Sequence, residues 1–199
     1  MIIHGPNSTE YDIDLGPVLL TDYYHKPYFQ IVEEVMGTDL SPALIAPQSD
    51  NNLINGKMNF NCSLVTDGTP CVNNAGLSKF KFTTGKKHRL RLINASGEAI
   101  QKFSIDGHKF TVMANDFVPI QPYETEIVTL GVGQRSDVIV EADGDPKSAY
   151  WMRSTISNCS RTLQPDAQAI IYYPDAPRDK KPTTTAWVDN TSECANVCR

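Results

Sequence analysis

The sequence has only four histidines, and their spacing excludes the usual arrangements that bind a transition metal. His4, His25, His88 and His108 stand far apart, and none forms a His-x-His pair or belongs to a Cys-His-Met set. A blue copper site requires two histidines and a cysteine, usually with a weak axial ligand. We therefore predict that this chain binds no copper. A zinc site is also disfavoured, because the five cysteines include no Cys-x₂-Cys pair.

Other absences exclude further classes of function. The sequence contains no Gly-x-Ser-x-Gly nucleophile elbow, no P-loop and no dinucleotide fingerprint. No apolar run approaches the roughly 18 residues of a membrane span, so we expect no membrane contact. The net charge of −5 argues against a nucleic-acid partner, because a phosphate-binding surface needs clustered Lys and Arg. The one basic cluster, Lys86-Lys87-His88-Arg89 with Arg91, is interpreted as a solvated strand face.

A secretory leader is missing too, although other features favour secretion. The first residues, Met1-Ile2-Ile3-His4-Gly5-Pro6, form neither the charged nor the apolar segment of a signal peptide. Asn-x-Ser/Thr sequons are nevertheless frequent, where chance predicts about two. The sequons are at Asn7, Asn61, Asn94, Asn158 and Asn190. We expect a secreted glycoprotein whose chain begins inside a longer one, with chance sequons in a cytosolic protein as the alternative.

The five cysteines also suit an oxidising compartment. Cys62 and Cys71 flank Asp67-Gly68-Thr69-Pro70, a strong turn signal, and a hairpin there would bring the two thiols together. Cys159 and Cys194 bracket the last core strand and a Pro-rich tail. An odd number of cysteines leaves Cys198 without an assigned partner.

Alternation of apolar and polar residues predicts β-strands past residue 50. Leu90 and Leu92 alternate with Arg89 and Arg91, and the same period recurs at 77–82, 102–106 and 109–114. Short apolar runs at 127–130, 138–140, 150–152 and 169–173 complete the set. The segment from Pro27 to Met36 has helical spacing instead. Short strands, turn residues about every ten positions and one helix predict an all-β Greek-key sandwich.

The composition divides the chain into three segments. We interpret residues 1–16 as the end of a preceding domain and a linker, and residues 17–174 as the sandwich. Residues 175–199 become polar and rich in Pro and Thr, which is typical of a linker towards a further domain.

Seven segments, in their order and spacing, resemble the second cupredoxin domain of ascomycete-type laccases, which are fungal multicopper oxidases. The most specific are Ser104-Ile105-Asp106-Gly107-His108, Ala114-Asn115-Asp116-Phe117 and Gly131-Val132-Gly133-Gln134-Arg135-Ser136-Asp137. The others are residues 16–25, 52–57, 88–94 and 150–153. Any one segment is a weak signal, whereas the set covers most of the chain and is specific.

The resemblance implies a cupredoxin-type sandwich that is the middle one of three. In that family, domains one and three hold four copper ions, which remove single electrons from phenols and reduce dioxygen to water. We therefore expect the chain to contact domains one and three of its own protein and to be inactive alone. The substrates of the whole protein would be a phenol and dioxygen.

The resemblance also implies that this domain forms one wall of the phenol pocket. The predicted wall consists of Ile45, Ala46, Pro47, Glu98, Ile156, Ser157 and Asn158. Removal of an electron makes a phenol hydroxyl strongly acidic, so the Glu98 carboxylate could orient the hydroxyl and accept its proton. An ordinary exposed loop glutamate is the alternative interpretation.

Related laccases bridge a separation like that between Cys159 and Cys194, which supports a second disulfide there. Cys198 would then be free or paired with a segment outside this chain. Two other functions stay open. One is a different multicopper oxidase, of ferroxidase or ascorbate oxidase type, and the other is a copper-less β-sandwich that binds a partner. A metal oxidase would need several carboxylates at the pocket, and only Glu98 is predicted there.

Overall fold

The fold is a sandwich of two β-sheets, described by a computed structural model for residues 9–36 and 46–189. Its strands are β1 (Ile13–Tyr23), β2 (Asn51–Ile54), β3 (Ser78–Lys81), β4 (Lys87–Asn94), β5 (Gln101–Ile105), β6 (Phe110–Asn115), β7 (Val118–Thr125), β8 (Ile127–Leu130), β9 (Arg135–Glu141), β10 (Ala149–Ile156) and β11 (Asp166–Tyr172). One sheet has the order β2-β1-β4-β9-β6-β7, and the other has the order β3-β11-β10-β5-β8. The predicted all-β sandwich with one short helix is confirmed.

The core lies between the sheets and follows the predicted alternation. Leu90 and Leu92 are fully buried, together with Val18 and Leu20 of the neighbouring strand β1. Burial of each such side chain contributes about 1.5–3 kcal/mol, which makes this period-two pattern the main determinant of the strand register.

The arginines of β4 are not a solvated face, so that interpretation was wrong. Arg91 donates from Nη2 to Asp14 Oδ2 at 2.6 Å and from Nη1 to Asp137 Oδ2 at 3.3 Å. Arg89 pairs with Asp137 as well, and its guanidinium lies 5.2 Å from the centroid of the Tyr11 ring. The chain that enters β1 covers this side of β4, and sequence alternation alone could not indicate that cover.

Strand β1 begins before the predicted start of the sandwich at residue 17. Ile13 and Asp14 already pair in parallel with β4, and the register then shifts between Asp14 and Gly16. Gly16 has a φ of +80°, which side chains disfavour, and its N–H donates to Asp14 Oδ1 at 2.9 Å. This bulge turns Asp14 towards Arg91.

The helix α1 spans Tyr28–Met36, within the predicted segment. None of its side chains is buried, and Phe29 and Met36 are 81% and 78% exposed. Gly37, which follows the segment with helical spacing, lies outside the described residues. Within residues 9–36 and 46–189, no helix has the length and apolar character needed to cross a membrane.

The Pro-rich tail is anchored on the second sheet as far as residue 189. Thr184 Oγ1 donates to Asp106 Oδ2 at 2.7 Å, and Trp187 Nε1 donates to the Ile105 carbonyl at 2.9 Å. Lys102 on β5 also forms an ion pair with Asp189 at 2.5 Å. The composition predicted an extended segment but carried no signal for this docking.

The predicted Cys62–Cys71 disulfide is confirmed, with the two Cα atoms 5.7 Å apart. Asn61 caps a short 3₁₀ helix at Cys62–Leu64, and the Asp67 carboxylate accepts from the Thr69 N–H at 3.0 Å. Cys159 is disulfide-bonded. The proposed partner Cys194 and the remaining Cys198 lie outside the described residues, so the Cys159–Cys194 pairing stays a prediction.

Candidate functional site

The predicted wall segments come together at one end of the sandwich. The Ser157 N–H donates to the Ile100 carbonyl at 3.0 Å, which joins the loop after β10 to the loop before β5. The Ser49 N–H donates to the Arg161 carbonyl at 3.0 Å, which brings the third segment alongside. Ile45 lies outside the described residues. These bonds bring together loops that are far apart in sequence, as a binding site requires.

A groove of about 1190 Å³ opens beside these loops. Ala46 and Pro47 line it, together with Tyr24 at the end of β1 and Asp50 before β2. Helix α1 and the disulfide-closed loop 62–71 form its other sides. Small apolar residues beside a tyrosine and a carboxylate suit a planar, partly polar ligand.

The residues predicted after β10 are mostly closed off from solvent. Ile156 is 2% exposed and pairs with Gln101 at the end of β10, and Ser157 is 4% exposed. Their side chains therefore do not form an open pocket wall in this structure. Asn158 is exposed, so it is the one residue of this predicted segment that offers its side chain to solvent.

Glu98 is half-buried in the loop between β4 and β5. Burial raises the pKa of its carboxyl, a hydrogen bond from Ser160 partly opposes this, and the charge of Asp22 raises the pKa further. A carboxylate in these surroundings takes up a proton more readily than an ordinary surface glutamate. This behaviour fits a proton acceptor better than it fits the alternative of an exposed loop residue.

Asp22 is the residue that sequence reasoning missed. Its side chain is 4% exposed, and both carboxylate oxygens accept backbone hydrogen bonds from the loop that carries Glu98. Gly97 N–H donates to Oδ1 at 2.8 Å, while Glu98 N–H and Ala99 N–H donate to Oδ2 at 3.0 and 3.1 Å. The carboxylate thus fixes three consecutive peptide groups of one loop.

A signal for Asp22 was present in the strand pattern. Asp22 follows Val18 and Leu20 at a spacing of two, and all three side chains point inwards. A carboxylate at an inward position of a strand requires donors that are not local, because an unpaired buried charge is very costly. The pattern therefore indicated a partner, although it could not identify the loop some 75 residues away.

Tyr24 completes the surroundings of Asp22. Its hydroxyl donates to Asp22 Oδ2 at 3.3 Å. Burial raises the pKa of the Tyr24 hydroxyl above its ordinary value, and the charges of Asp22 and Glu98 raise it further. Tyr24 therefore stays protonated and remains the donor to Asp22 at the rim of the groove.

The structure contradicts the glycan predicted at Asn94. Asn94 is 1% exposed, and its Nδ2 donates to the carbonyls of Ala99 at 2.8 Å and Leu130 at 2.9 Å. Its Oδ1 accepts from the Ser96 N–H at 3.0 Å. A sugar on Nδ2 would replace a buried donor and would have no path to solvent.

The other sequons are compatible with glycans or are not described. Asn61 and Asn158 are exposed, and glycans there stay predictions. Asn7 and Asn190 lie outside the described residues.

Two of the histidines are buried and have structural partners. His108 is 2% exposed, and its Nδ1 and Nε2 lie 2.8 Å from the Asp106 carbonyl and 2.7 Å from the Tyr173 hydroxyl. His88 is fully buried and its Nε2 accepts from the Thr83 N–H at 3.0 Å. Burial lowers the pKa of both imidazoles.

The other two histidines differ from this pair. His25 is exposed and lies 3.8 Å from Asp50. His4 lies outside the described residues. In the part of the chain that the structure describes, no three His, Cys, Asp or Glu side chains are grouped so as to hold a metal ion.

Comparison with known proteins gives a consistent result. The family model described as multicopper oxidase matches residues 14–176. The chain is similar to oxidoreductase OpS5 of Beauveria bassiana, with 41% identity over 93% of the chain, and to laccase-2 of Botryotinia fuckeliana, with 38% identity over 98%. The crystal structure of a laccase from Botrytis aclada superposes with a TM-score of 0.81 at 37% identity, over 95% of the chain.

These matches cover only part of each relative. The chain corresponds to 30% of the first protein, 32% of the second and 34% of the crystallised laccase. It therefore spans about a third of the length of the relatives that it matches, and the superposition identifies its sandwich as cupredoxin-like.

Proposed function

The chain belongs to the multicopper oxidase family, and from this premise we propose that it is the middle domain of a laccase-like oxidase. In this proposal, residues 17–174 form one wall of the phenol pocket and separate the two copper-bearing domains. Residues 175–199 lead to the third domain. The whole protein would oxidise phenols by single electrons and reduce dioxygen to water, and this chain would be inactive alone.

One observation carries the proposal. A half-buried glutamate with a raised pKa lies close enough to Tyr24 for its charge to raise the pKa of the Tyr24 hydroxyl. Tyr24 lines the groove together with Ala46 and Pro47, whereas Glu98 itself does not line it. The groove suits the ring of a phenol, and the carboxylate suits its hydroxyl. Because an oxidised phenol is strongly acidic, a fixed acceptor lets the proton leave together with the electron.

Copper is assigned to the other domains because the donors of this chain do not fit it. The imidazole nitrogens of His108 are already engaged by the Asp106 carbonyl and the Tyr173 hydroxyl. His88 lies on a different strand and stacks on Phe82, with ring centroids 4.5 Å apart. No described cysteine joins them, since Cys62, Cys71 and Cys159 are all disulfide-bonded.

The rival functions are less well supported. An oxidase of metal ions, of the ferroxidase type, would need several carboxylates that are open to the groove. Glu34, Asp50 and Asp67 do line the groove. Within the described residues, however, no three His, Cys, Asp or Glu side chains are grouped so as to hold a metal ion. A copper-less binding module would have no specific use for a glutamate with a raised pKa at this position. An ascorbate oxidase could use one, because ascorbate also loses a proton on oxidation, but the similarity to proteins named laccases favours a phenol.

Secretion is part of the proposal. The Cys62–Cys71 bridge requires an oxidising compartment. The exposed sequons at Asn61 and Asn158 are available for glycans, as expected of a secreted protein.

The proposal is tested by comparing the intact protein with the isolated chain. Both are incubated with copper, freed of excess metal, and assayed for metal content, visible absorption and dioxygen uptake with a phenol. We expect four copper ions, an intense blue band and turnover only for the intact protein. Stoichiometric blue copper in the isolated chain, or an intact protein without phenol turnover, would contradict the proposal.

A further inference from the structure

We propose that Asp22 is a positioning residue, which holds Glu98 near Tyr24 at the rim of the groove by fixing the backbone of residues 97–99. This inference rests on the proposed role of Glu98 as the phenol's proton acceptor. Asp22 lies on β1 and not on the loop that carries Glu98, and its side chain is buried, so it does not touch the substrate.

The geometry resembles an anion site made by one loop. The N–H groups of Gly97, Glu98 and Ala99 all point at one carboxylate, at 2.8, 3.0 and 3.1 Å. Such charge-assisted bonds are stronger than neutral ones. Because the N–H of Glu98 is one of these donors, the carboxylate fixes the backbone from which the Glu98 side chain extends.

Two further hydrogen bonds attach the same loop to strand β1. The Asp22 N–H donates to Ser96 Oγ at 3.1 Å, and the Ala95 N–H donates to the Leu20 carbonyl at 2.8 Å. Residues 95–99 of the loop are thus all attached to β1, which restricts the movement of the Glu98 backbone.

Five polar groups lie around Glu98 or its neighbours, and two of them, Asp22 and Ser160, act on the pKa of its carboxyl. The Asp22 carboxylate disfavours ionisation of Glu98, and the Ser160 hydroxyl favours it. Tyr24 lies between Asp22 and the groove, with Asp50 close to it on the chain before β2. Arg161, which lines the groove, follows Ser160 directly. Removal of Asp22 or of Ser160 should therefore shift the pH profile of phenol oxidation in opposite directions.

The experiment uses the intact copper-loaded protein with two electron donors. One donor is a phenol, and the other loses an electron without losing a proton. For Asp22→Asn we expect kcat/KM for the phenol to fall by about 10- to 100-fold, as is typical of a displaced catalytic group. Turnover of the second donor should change much less. On the pH profile of phenol oxidation, the acidic limb should move to lower pH for Asp22→Asn, because Glu98 loses a neighbouring negative charge. It should move to higher pH for Ser160→Ala, because Glu98 loses a hydrogen-bond donor.

Asp106→Asn is the matched control, because it makes the same change at a buried carboxylate at the opposite end of β5. It should affect both donors equally. Equal losses for both donors in Asp22→Asn would overturn the positioning role and leave Asp22 as a residue of the core. So would an acidic limb that stays in place for Asp22→Asn.

A milder variant keeps the test decisive if Asp22→Asn does not fold. Ser96→Ala keeps both carboxylates and removes one of the hydrogen bonds that attach the loop to β1, so kcat/KM for the phenol should fall selectively but by less than in Asp22→Asn. Equal losses for both donors in Ser96→Ala would then overturn the inference. Glu98→Gln distinguishes the positioning role of Asp22 from the proposed role of Glu98 as the proton acceptor. If it slows the phenol selectively while Asp22→Asn does not, the positioning role fails and the proposed function stands.

Discussion

A buried carboxylate lies near each end of strand β5, Asp22 of β1 beside the loop that precedes it and Asp106 directly after it, and the two are satisfied in different ways. At one end, Asp22 accepts from three backbone N–H groups and from Tyr24. At the other end, Asp106 is fully buried and accepts from Arg153 Nε at 2.8 Å and Nη2 at 2.9 Å, and from Thr184. The first carboxylate is balanced by peptide dipoles, and the second by a cation.

This difference explains why one end can carry a site and the other cannot. At the Asp106 end, the guanidinium neutralises the charge and the tail covers it, with Trp187 bound to two backbone carbonyls. At the Asp22 end, peptide groups hold the charge without cancelling it, so its field reaches Glu98 and also Tyr24, which lines an open groove. A carboxylate that is balanced by peptide dipoles therefore still acts on the charge of a neighbouring group, whereas a carboxylate that is paired with a cation does not.

The largest expected effect comes from breaking the ion pair at the Asp106 end. Arg153→Ala leaves Asp106 buried without its cation, which should lower the free energy of unfolding by about 3–5 kcal/mol. Denaturant unfolding of the variant and the parent measures the difference. The exposed Arg178→Ala, which removes an arginine stacked on Tyr172, serves as the control and should cost much less. Similar losses for the two variants would mean that Asp106 does not depend on Arg153.

A smaller effect is expected at the Asp22 end, from loss of the disulfide that borders the groove. Replacing Cys62 and Cys71 by Ser releases a loop of about ten residues, which should cost roughly 3 kcal/mol by loop entropy. Thermal unfolding of the double variant, with and without reductant, gives the value. Because the bridge lies at the groove rather than in the core, the folded variant should bind phenol more weakly. Unchanged stability would indicate that the loop is held by other contacts.

The buried histidines near the Asp106 end should make the free energy of unfolding depend on pH. Burial lowers the pKa of His88 and His108 in the folded state, so the unfolded chain binds more protons below the ordinary histidine pKa of about 6.5. The stability from these neutral imidazoles is complete above that pH and is lost as the pH falls below it. Each histidine contributes a slope of up to about 1.4 kcal/mol per pH unit. Unfolding curves between pH 7 and pH 5 measure it, and His108→Gln should reduce the slope. An unchanged slope in that variant would refute the assignment to His108.

The sequence predicted those parts of the fold that depend on local pattern. Alternation placed Leu90 and Leu92 in the core, and the turn at Asp67-Gly68 indicated the Cys62–Cys71 bridge, because both signals lie within a few residues. The resemblance indicated Glu98 and the loops that meet near it. Whether they form a phenol wall stays a prediction.

What the sequence did not reveal depends on contacts between distant segments. Asp22 finds its donors 75–77 residues away, and Asp106 meets Thr184 across 78 residues. The burial of Arg89 and Arg91 likewise depends on Asp14 and Asp137 from other strands. No period of two or of 3.6 residues contains this information. An inward-facing acidic residue such as Asp22 was the one available signal, and it indicates that a partner exists without naming it.

The most direct test of the account is the ratio of two rates in Glu98→Gln of the intact protein. The first is kcat/KM for a phenol, and the second is kcat/KM for a donor that loses an electron but no proton. Loss of one charge-assisted hydrogen bond costs about 1.5–3 kcal/mol, or on the order of 10- to 100-fold in rate. We predict a fall in the first rate towards the lower end of that range, because the amide keeps the size of the side chain. The second rate should hardly change, and the exposed Glu141→Gln should leave both unchanged. An equal fall in both rates, or no fall in either, would contradict the role of Glu98 as the proton acceptor.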